Sequence, residues 1–248
     1  MDGAAVGIVG QAQDVASRLA AVQERIAAAA RRAGRDPAGV TLVAVSKTFP
    51  PERIREAIDA GVTDLGENRV QEAEEKVPAL PDTVRWHLVG HLQSNKINKA
   101  LELFSLIHSV DRVELGEAIG RRAERRGTAA QVLLQVNLTE KESQFGFADA
   151  DFTDVARRLA AVPGLALDGL MCIAPEVESP EETRPCFRRL AALFDELKAS
   201  MAQAGHPWRH LSMGMTGDYD VAVEEGATLV RVGRAIFGDR PPAAGAHG

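Results

Sequence analysis

Residues Leu42 to Pro51, Leu-Val-Ala-Val-Ser-Lys-Thr-Phe-Pro-Pro, place a single lysine between a short apolar run and two prolines. The apolar run predicts a strand buried on both faces, as in parallel sheets, and the prolines predict its end. Because α/β folds carry their active sites at the carboxyl ends of such strands, Lys47 is a candidate functional residue. Partial burial would favour the neutral amine, the form that makes a Schiff base. The alternative is a lysine that ends the strand and extends to solvent.

Outward from this strand, apolar runs alternate with helical patterns along the chain. The first strand is predicted at 41–46, and the helix after it, at 51–60, opens on prolines and ends at Gly61. Seven further strands are predicted at 63–67, 85–89, 106–110, 131–138, 165–173, 210–213 and 229–232. Further helices are predicted at 70–76, 111–126, 152–161, 187–201 and 219–225, and an amphipathic helix at 11–33 precedes the first strand.

Eight alternating units imply parallel strands that close into a (β/α)8 barrel, an α/β fold of the TIM type, with the N-terminal amphipathic helix covering its floor. An open doubly wound sheet is the alternative. It is disfavoured because no Gly-x-Gly-x-x-Gly motif follows the first strand. No composition shift or linker divides the chain, so residues 11–240 are predicted to form one domain, with disordered ends at 1–10 and 241–248.

The composition narrows the class of function. Of 248 residues, 45% are hydrophobic but only 4% aromatic, which suits the aliphatic layers of a barrel. The formal net charge of −6 disfavours nucleic acid and anionic membranes as partners. Cys172 and Cys186 do not form a Cys-x-x-Cys motif, and the N-terminal residues lack a signal-peptide pattern, so we expect a cytoplasmic protein.

The last two predicted strands end in glycine-containing loops, Ser212 to Asp218 and Arg231 to Gly238. Barrels frequently bind phosphate in these two loops, where glycines let backbone amides approach the anion. An ordinary turn that ends in an Asp218 helix cap is the alternative for the first loop. The side chain of Arg231 faces either the barrel interior or the helices, and a buried guanidinium needs a partner.

A lysine amine, a phosphate loop and an arginine in one pocket suit pyridoxal 5′-phosphate (PLP). The aldehyde would form an imine with Lys47, the phosphate would lie on the last two loops, and the pyridine nitrogen would face Arg231. Because arginine only donates hydrogen bonds and stays protonated, that nitrogen would remain neutral and would be a weaker electron sink.

Several motifs between Val15 and Gly238 resemble those of the pyridoxal phosphate homeostasis protein family, whose members are single-domain relatives of the alanine racemase N-terminal barrel. The motifs are Val43-Ala44-Val45-Ser46-Lys47, Gly66-Glu67-Asn68, Trp86-His87 with Gly90, Leu92-Gln93-Ser94-Asn95-Lys96, Gly169-Leu170-Met171, Ser212-Met213-Gly214-Met215, Val230-Arg231-Val232-Gly233 and Ile236-Phe237-Gly238. The resemblance implies an intracellular PLP-binding protein that acts in homeostasis without efficient catalysis and passes the cofactor to apo PLP-dependent enzymes. A PLP-dependent amino-acid racemase of low activity and a cofactor-free Schiff-base aldolase are the alternatives.

The resemblance also implies a role for each site residue. Lys47 would hold PLP as an aldimine, Asn68 would lie beside the ring, and Arg231 would face the pyridine nitrogen. The phosphate would be contacted by Ser212, the Met213 amide, Gly233 and position 234. Arg234 departs from the family pattern, which has a small hydroxyl residue there, so only its backbone amide would serve in the same way.

Expectations also follow for four further residues. Tyr219, the only tyrosine, is expected to pack or to be exposed rather than to act as the second base of a racemase. No metal site is expected, because His87 and His91 do not lie in a His-Glu-x-x-His helix. Lys141, just beyond the fifth strand, is a second lysine that could hold PLP in transit.

Overall fold

A computed structural model describes residues 14–139, 145–150, 152–201 and 205–239. The predicted disordered ends, 1–10 and 241–248, and Lys141 lie outside these residues. The strands are β1 Thr41–Val45, β2 Asp64–Glu67, β3 Arg85–Leu88, β4 Leu106–Val110, β5 Ala130–Asn137, β6 Phe147–Ala148, β7 Leu165–Cys172, β8 His210–Ser212 and β9 Leu229–Val232. The helices are α1 Val15–Arg32, α2 Pro51–Asp59, α3 Val70–Lys76, α4 Ile97–Leu103, α5 Val113–Arg125, α6 Phe152–Ala160, α7 Arg184–Ser200, α8 Tyr219–Glu224 and α9 Arg234–Phe237.

Eight of the strands close into a parallel barrel. Their order is β4-β3-β2-β1-β9-β8-β7-β5, and β4 also pairs with β5, so that the sheet has no open edge between them. The predicted (β/α)8 barrel is therefore confirmed. All the pairings are parallel, so the carboxyl ends of the strands meet at one face, where barrel active sites form.

The barrel wall separates two apolar regions. Inside, five buried residues from different strands pack together: Val43, Leu106, Leu133, Met171 and Leu229. A much larger cluster lies mainly between the strands and the surrounding helices. The scarcity of aromatic residues is consistent with this packing, since the inner cluster is entirely aliphatic and thioether.

Helix α1 begins at Asp14, whose carboxylate accepts a hydrogen bond from the Ala16 amide, and buries the predicted face containing Val15, Leu19, Val22 and Ile26. Its position differs in part from the prediction. The helix packs against α2, α8 and α9 in the outer layer, and only its C-terminal half reaches the amino ends of β1 to β3. It flanks the barrel more than it covers the floor.

Three short elements were not predicted. Strand β6 is two residues long and pairs with β5 at Val136 and Asn137. Helix α4 has only two buried residues, Ile97 and Ala100, which is too few for a visible apolar period. Helix α9 follows β9 directly, at the place where barrels often carry a short additional helix beside a phosphate.

Candidate functional site

A cavity of about 590 Å³ opens at the carboxyl ends of the strands. This volume is within the range of small-molecule sites. Its walls come from the segments that follow β1, β2, β3, β7, β8 and β9. The cavity brings together Lys47, Asn68, Arg231, Gly233 and Arg234, five of the seven residues expected to bind a cofactor.

Lys47 lies two residues beyond β1 and is half-buried. The next residue, Thr48, has a positive φ of 68°. A branched side chain rarely adopts that conformation, so the turn after Lys47 must be held by its surroundings. Asn68 is the first residue after β2. A Cβ at Gly90 would lie 2.3 Å from the Asn68 carbonyl oxygen, so glycine is required for the segment after β3 to approach Asn68 this closely.

Arg231 extends from β9 into the barrel and is only 5% exposed. Its Nη1 donates to Ser212 Oγ at 2.5 Å, and its Nη2 donates to the Cys172 carbonyl at 2.8 Å. Burial lowers the pKa of Arg231, and the nearby groups Cys172 and Asp218 oppose that change. The ordinary pKa of arginine is far above neutrality, so the guanidinium remains a donor at the inner wall of the cavity.

The two other predicted residues, Ser212 and Met213, are fully buried and lie behind the cavity wall. The Ser212 hydroxyl is bonded to Arg231 and to His108 Nδ1, at 2.8 Å for the latter. The Met213 amide donates to the Leu229 carbonyl at 3.2 Å. In this structure the Ser212 hydroxyl and the Met213 amide thus both bond to neighbouring strands.

The loop after β8 has a defined shape. Gly214 has a φ of 90°, and a Cβ there would lie 2.6 Å from the Ala222 Cβ, so the position requires glycine. Asp218 Oδ1 accepts the Met215 amide at 2.6 Å and closes the loop. Burial raises the pKa of Asp218, while the Met215 bond and Arg231 oppose that effect. The loop thus presents Thr216 and Gly217 to the cavity.

A chain of polar side chains crosses the barrel interior below the cavity, and sequence reasoning missed most of it. Its far end is Asp64 on β2. Burial alone would raise the pKa of Asp64, but hydrogen bonds from His87, Arg85 and Thr63 lower it to about 2. His87 Nε2 lies 2.9 Å from Asp64 Oδ1. Because the ionised carboxylate only accepts, His87 donates this bond, and in the neutral His87 ring Nδ1 is then an acceptor.

The same logic sets the direction of every bond up to the cavity. With a neutral His87 ring, His108 Nε2 donates to His87 Nδ1 across 3.0 Å, and His108 Nδ1 then accepts the hydroxyl proton of Ser212. The Ser212 oxygen in turn accepts from Arg231. Complete burial lowers the pKa of His108 well below its usual value, so both bonds are made by the neutral ring. We call Arg231, Ser212, His108, His87 and Asp64 the core chain.

The remaining expected residues lie elsewhere. The Tyr219 ring is fully buried beneath Arg25 of α1, with the guanidinium carbon 4.8 Å from its centre. It is not among the residues that line the cavity, and its burial makes it a packed residue, the first of the two outcomes expected for it. His91 Nδ1 lies 2.8 Å from Asp111 Oδ2, whereas His87 bonds to Asp64, so the two histidines have different carboxylate partners. Within the residues described, no group of three or more His, Cys, Asp or Glu is arranged to hold a metal.

Comparison with known proteins places this cavity in context. The family "Alanine racemase, N-terminal domain" matches residues 17–241. A curated relative from Aquifex aeolicus, named pyridoxal phosphate homeostasis protein, is 42% identical over 224 residues, which are 90% of this chain and 97% of the relative. The chain belongs to the pyridoxal phosphate homeostasis protein family. The resemblance predicted from the motifs is confirmed.

Other members of the homeostasis protein family support the assignment. The pyridoxal phosphate homeostasis protein of Escherichia coli (strain K12) is 38% identical over 232 residues, 92% of this chain and 97% of that one. A solved structure of PipY from Synechococcus elongatus PCC7942 with PLP bound superimposes with a TM-score of 0.79 at 40% identity. That alignment covers 90% of this chain and 100% of PipY. No helix among the described residues is long and apolar enough to span a membrane.

Proposed function

We propose that this protein binds PLP in the cavity at the carboxyl ends of the strands and holds it as a Schiff base on Lys47. The observation that carries the proposal is the meeting, in one cavity, of the Lys47 amine, the buried Arg231 guanidinium and the Gly233-Arg234 loop. A family relationship to PipY, which has been solved with PLP bound, supports the same ligand.

The residues fit the cofactor's chemical groups. Lys47 would supply the amine that holds the aldehyde of PLP as a Schiff base, a condensation that releases water and requires no oxidant or reductant. Arg231 uses two of its five N–H donors on Ser212 and Cys172, which leaves donors for a pyridine nitrogen. Asn68, on the neighbouring strand end, would lie beside the ring.

The phosphate would lie on the loops after β8 and β9. Gly233 and Arg234 begin α9, and a Cβ at Gly233 would already lie 3.0 Å from the Val45 carbonyl oxygen, so glycine keeps this wall of the cavity close to β1. Arg234 is exposed at the cavity and would add a charged donor where the family resemblance implies a small hydroxyl residue. Ser212 and the Met213 amide would have to exchange their present bonds to contribute, and we assign Ser212 first to Arg231.

We further propose that the bound cofactor is stored and delivered rather than used for efficient catalysis. An arginine at the pyridine nitrogen keeps that nitrogen neutral, which weakens the ring as an electron sink. A racemase needs a second base on the opposite side of the substrate, and the single tyrosine is packed beneath Arg25. Apo PLP-dependent enzymes in the cytoplasm would be the recipients.

Two assays on the PLP-loaded protein test this function. In the first, a PLP-loaded sample is mixed with an apo-aminotransferase in the presence of a phosphatase that destroys free PLP. We expect faster recovery of transaminase activity than with an equal amount of free PLP, and no such advantage with Lys47→Ala. Equal recovery from protein and free PLP would refute a delivery role.

The second assay addresses the alternative, a racemase of low activity, which the match to the alanine racemase N-terminal domain favours. The loaded protein is incubated with L-alanine in D2O, and exchange of the α-proton is followed by NMR. We expect no steady turnover. Sustained exchange that disappears in Lys47→Ala would establish the racemase alternative instead.

A further inference from the structure

A buried cluster of charges lies immediately behind Lys47, on the outer side of the barrel wall. It consists of Glu67 at the end of β2 and Glu72 and Lys76 on α3, and we call it the Lys76 cluster. The side chain of Glu67 is completely buried and that of Lys76 is 8% exposed. Glu72 is partly exposed, at 24%. Burying the charges of Glu67 and Lys76 is costly unless their bonds serve a purpose that apolar residues could not.

The first set of bonds holds the residue before Lys47. Lys76 Nζ donates to the Ser46 carbonyl at 3.0 Å and to Glu67 Oε1 at 2.7 Å. The Ser46 hydroxyl donates to the same carboxylate oxygen at 2.7 Å. Both the backbone and the side chain of Ser46 are therefore fixed by the cluster. Burial raises the pKa of Glu67, and the charge of Lys76 opposes that effect.

The second set holds the residue after Lys47. Glu72 Oε2 accepts the Thr48 amide at 2.9 Å and also receives Lys76 Nζ at 3.2 Å. Thr48 is one of two described residues other than glycine with a positive φ. Such a conformation persists in a β-branched residue only where surrounding contacts require it, and the Glu72 bond is such a contact.

We propose that the Lys76 cluster is a positioning device for Lys47: Glu72 and Lys76 fix the backbone on both sides of the lysine so that its amine is aimed into the cavity. This inference rests on the proposed function, in which that amine holds PLP. Glu72 is the key residue, because it alone links the strained Thr48 amide to Lys76. These residues act through Lys47 and do not themselves touch the cofactor.

A purely structural role for the cluster makes a different prediction. If the cluster only stabilised the fold, loosening it would weaken every ligand of the cavity equally. If it aims the amine, loosening it would weaken only ligands that react with the amine. PLP and 4-deoxypyridoxine 5′-phosphate separate the two cases, since the latter keeps the ring and phosphate but has no aldehyde.

The test compares Glu72→Ala, which loses the acceptor, with Glu72→Gln, which keeps an amide oxygen for Thr48. Glu75→Ala, on the exposed side of the same helix, is the matched control. We expect Glu72→Ala to raise the Kd for PLP about tenfold, the equivalent of about 1.4 kcal/mol, with less than about a twofold change for the deoxy analogue. Glu72→Gln should lose less than Glu72→Ala, and Glu75→Ala should resemble wild type.

A rescue variant tests the strain directly. Asparagine tolerates a positive φ far better than threonine does. Thr48→Asn added to Glu72→Ala should therefore recover part of the PLP affinity. Equal losses for PLP and the deoxy analogue, or an unchanged PLP affinity in Glu72→Ala, would overturn the positioning role.

A ligand-free readout separates failure of this inference from failure of the proposed function. In PLP-free protein, the rate at which acetic anhydride acetylates Lys47 is measured by peptide mass mapping, with the exposed Lys198 on α7 as the internal standard. We expect Glu72→Ala to raise this relative rate by at least about threefold. If wild type formed no Schiff base but this shift occurred, the positioning would stand without the PLP function. If wild type formed the Schiff base and Glu72→Ala changed neither the rate nor the affinity, the positioning would be wrong.

Discussion

Replacing His108 by leucine would cut the core chain at its middle. His108 is fully buried and makes two hydrogen bonds, one from the Ser212 hydroxyl and one to His87 Nδ1. Leucine leaves the Ser212 proton without an acceptor and the His87 nitrogen without a donor. Each buried group left unsatisfied costs about 1–3 kcal/mol, so the free energy of unfolding should fall by about 2–6 kcal/mol at pH 7.

Two milder variants each keep one of the two hydrogen bonds of His108. Asparagine places an acceptor oxygen near the position of Nδ1, and glutamine places a donor nitrogen near the position of Nε2. His108→Asn should therefore keep the bond from Ser212, and His108→Gln should keep the bond to His87. Each should lose about half as much stability as His108→Leu.

The pH dependence gives the sharpest signature. Burial is the main cause that holds the pKa of His108 well below its usual value near 6.5, and the cationic Arg231 on β9 acts in the same direction. Below pH 6.5 the unfolded chain therefore binds a proton that the folded protein does not, and wild-type stability falls as the pH falls. At about 1.4 kcal/mol per pH unit, His108 contributes about 2 kcal/mol of this loss by pH 5.

The Leu, Asn and Gln variants have no imidazole at position 108, so their unfolded chains do not bind this extra proton. The gap in unfolding free energy between wild type and each variant should therefore shrink by about 2 kcal/mol from pH 7 to pH 5. Urea unfolding followed by circular dichroism at both pH values measures it. A gap that stays constant, or a leucine variant as stable as wild type at pH 7, would refute the neutral, doubly bonded assignment of His108.

Two further predictions concern buried charge and a glycine. Lys76→Met should lower the free energy of unfolding by about 3–5 kcal/mol, because Glu67 would remain buried without its cation. Adding Glu67→Gln to Lys76→Met should recover most of the loss. A Lys76→Met variant within about 1 kcal/mol of wild type in urea unfolding would contradict this prediction. Gly214→Ala should lower the free energy of unfolding by about 2–6 kcal/mol, because the alanine would have a strained backbone and its Cβ would collide with Ala222. Gly226 also has a positive φ, of 108°, but a Cβ there would lie 3.8 Å from the nearest atom. Gly226→Ala should therefore lose only the stability that backbone strain removes. Equal thermal unfolding temperatures for the two alanine variants would show that the contact at Gly214 is absent.

Strands such as β1 and β5 could be predicted from the sequence because they are largely apolar runs bounded by turn residues, and the shorter, more polar β2, β3 and β8 because strands and helices alternate evenly along the chain. The core chain could not. Asp64, His87 and His108 each stand in a buried strand, which is the one signal the sequence offers. Whether their side chains meet depends on register, in which Gly66 pairs with His87 and His87 with Leu106, and on closure of the barrel. Those relations are set by the whole sheet, not by local sequence.

The Lys76 cluster shows a second limit. The sequence of α3, with Glu72 and Lys76 four residues apart, is typical of an exposed ion pair on a helix surface. Burial of Lys76 arises because Glu67 lies at the outward-facing end of β2, beneath the helix. By contrast, five residues of the cavity could be predicted, because the strand ends converge at one face of any parallel barrel. They are Lys47, Asn68, Arg231, Gly233 and Arg234.

We propose that Lys47 is the residue that holds PLP. To test this assignment, the protein is mixed with PLP and reduced with borohydride, and the modified peptide is mapped by mass spectrometry, with Lys47→Ala as the control. We expect one pyridoxyl group on Lys47, and its loss in the variant. A reduced adduct on another lysine in wild type, or no adduct at all, would contradict the claim.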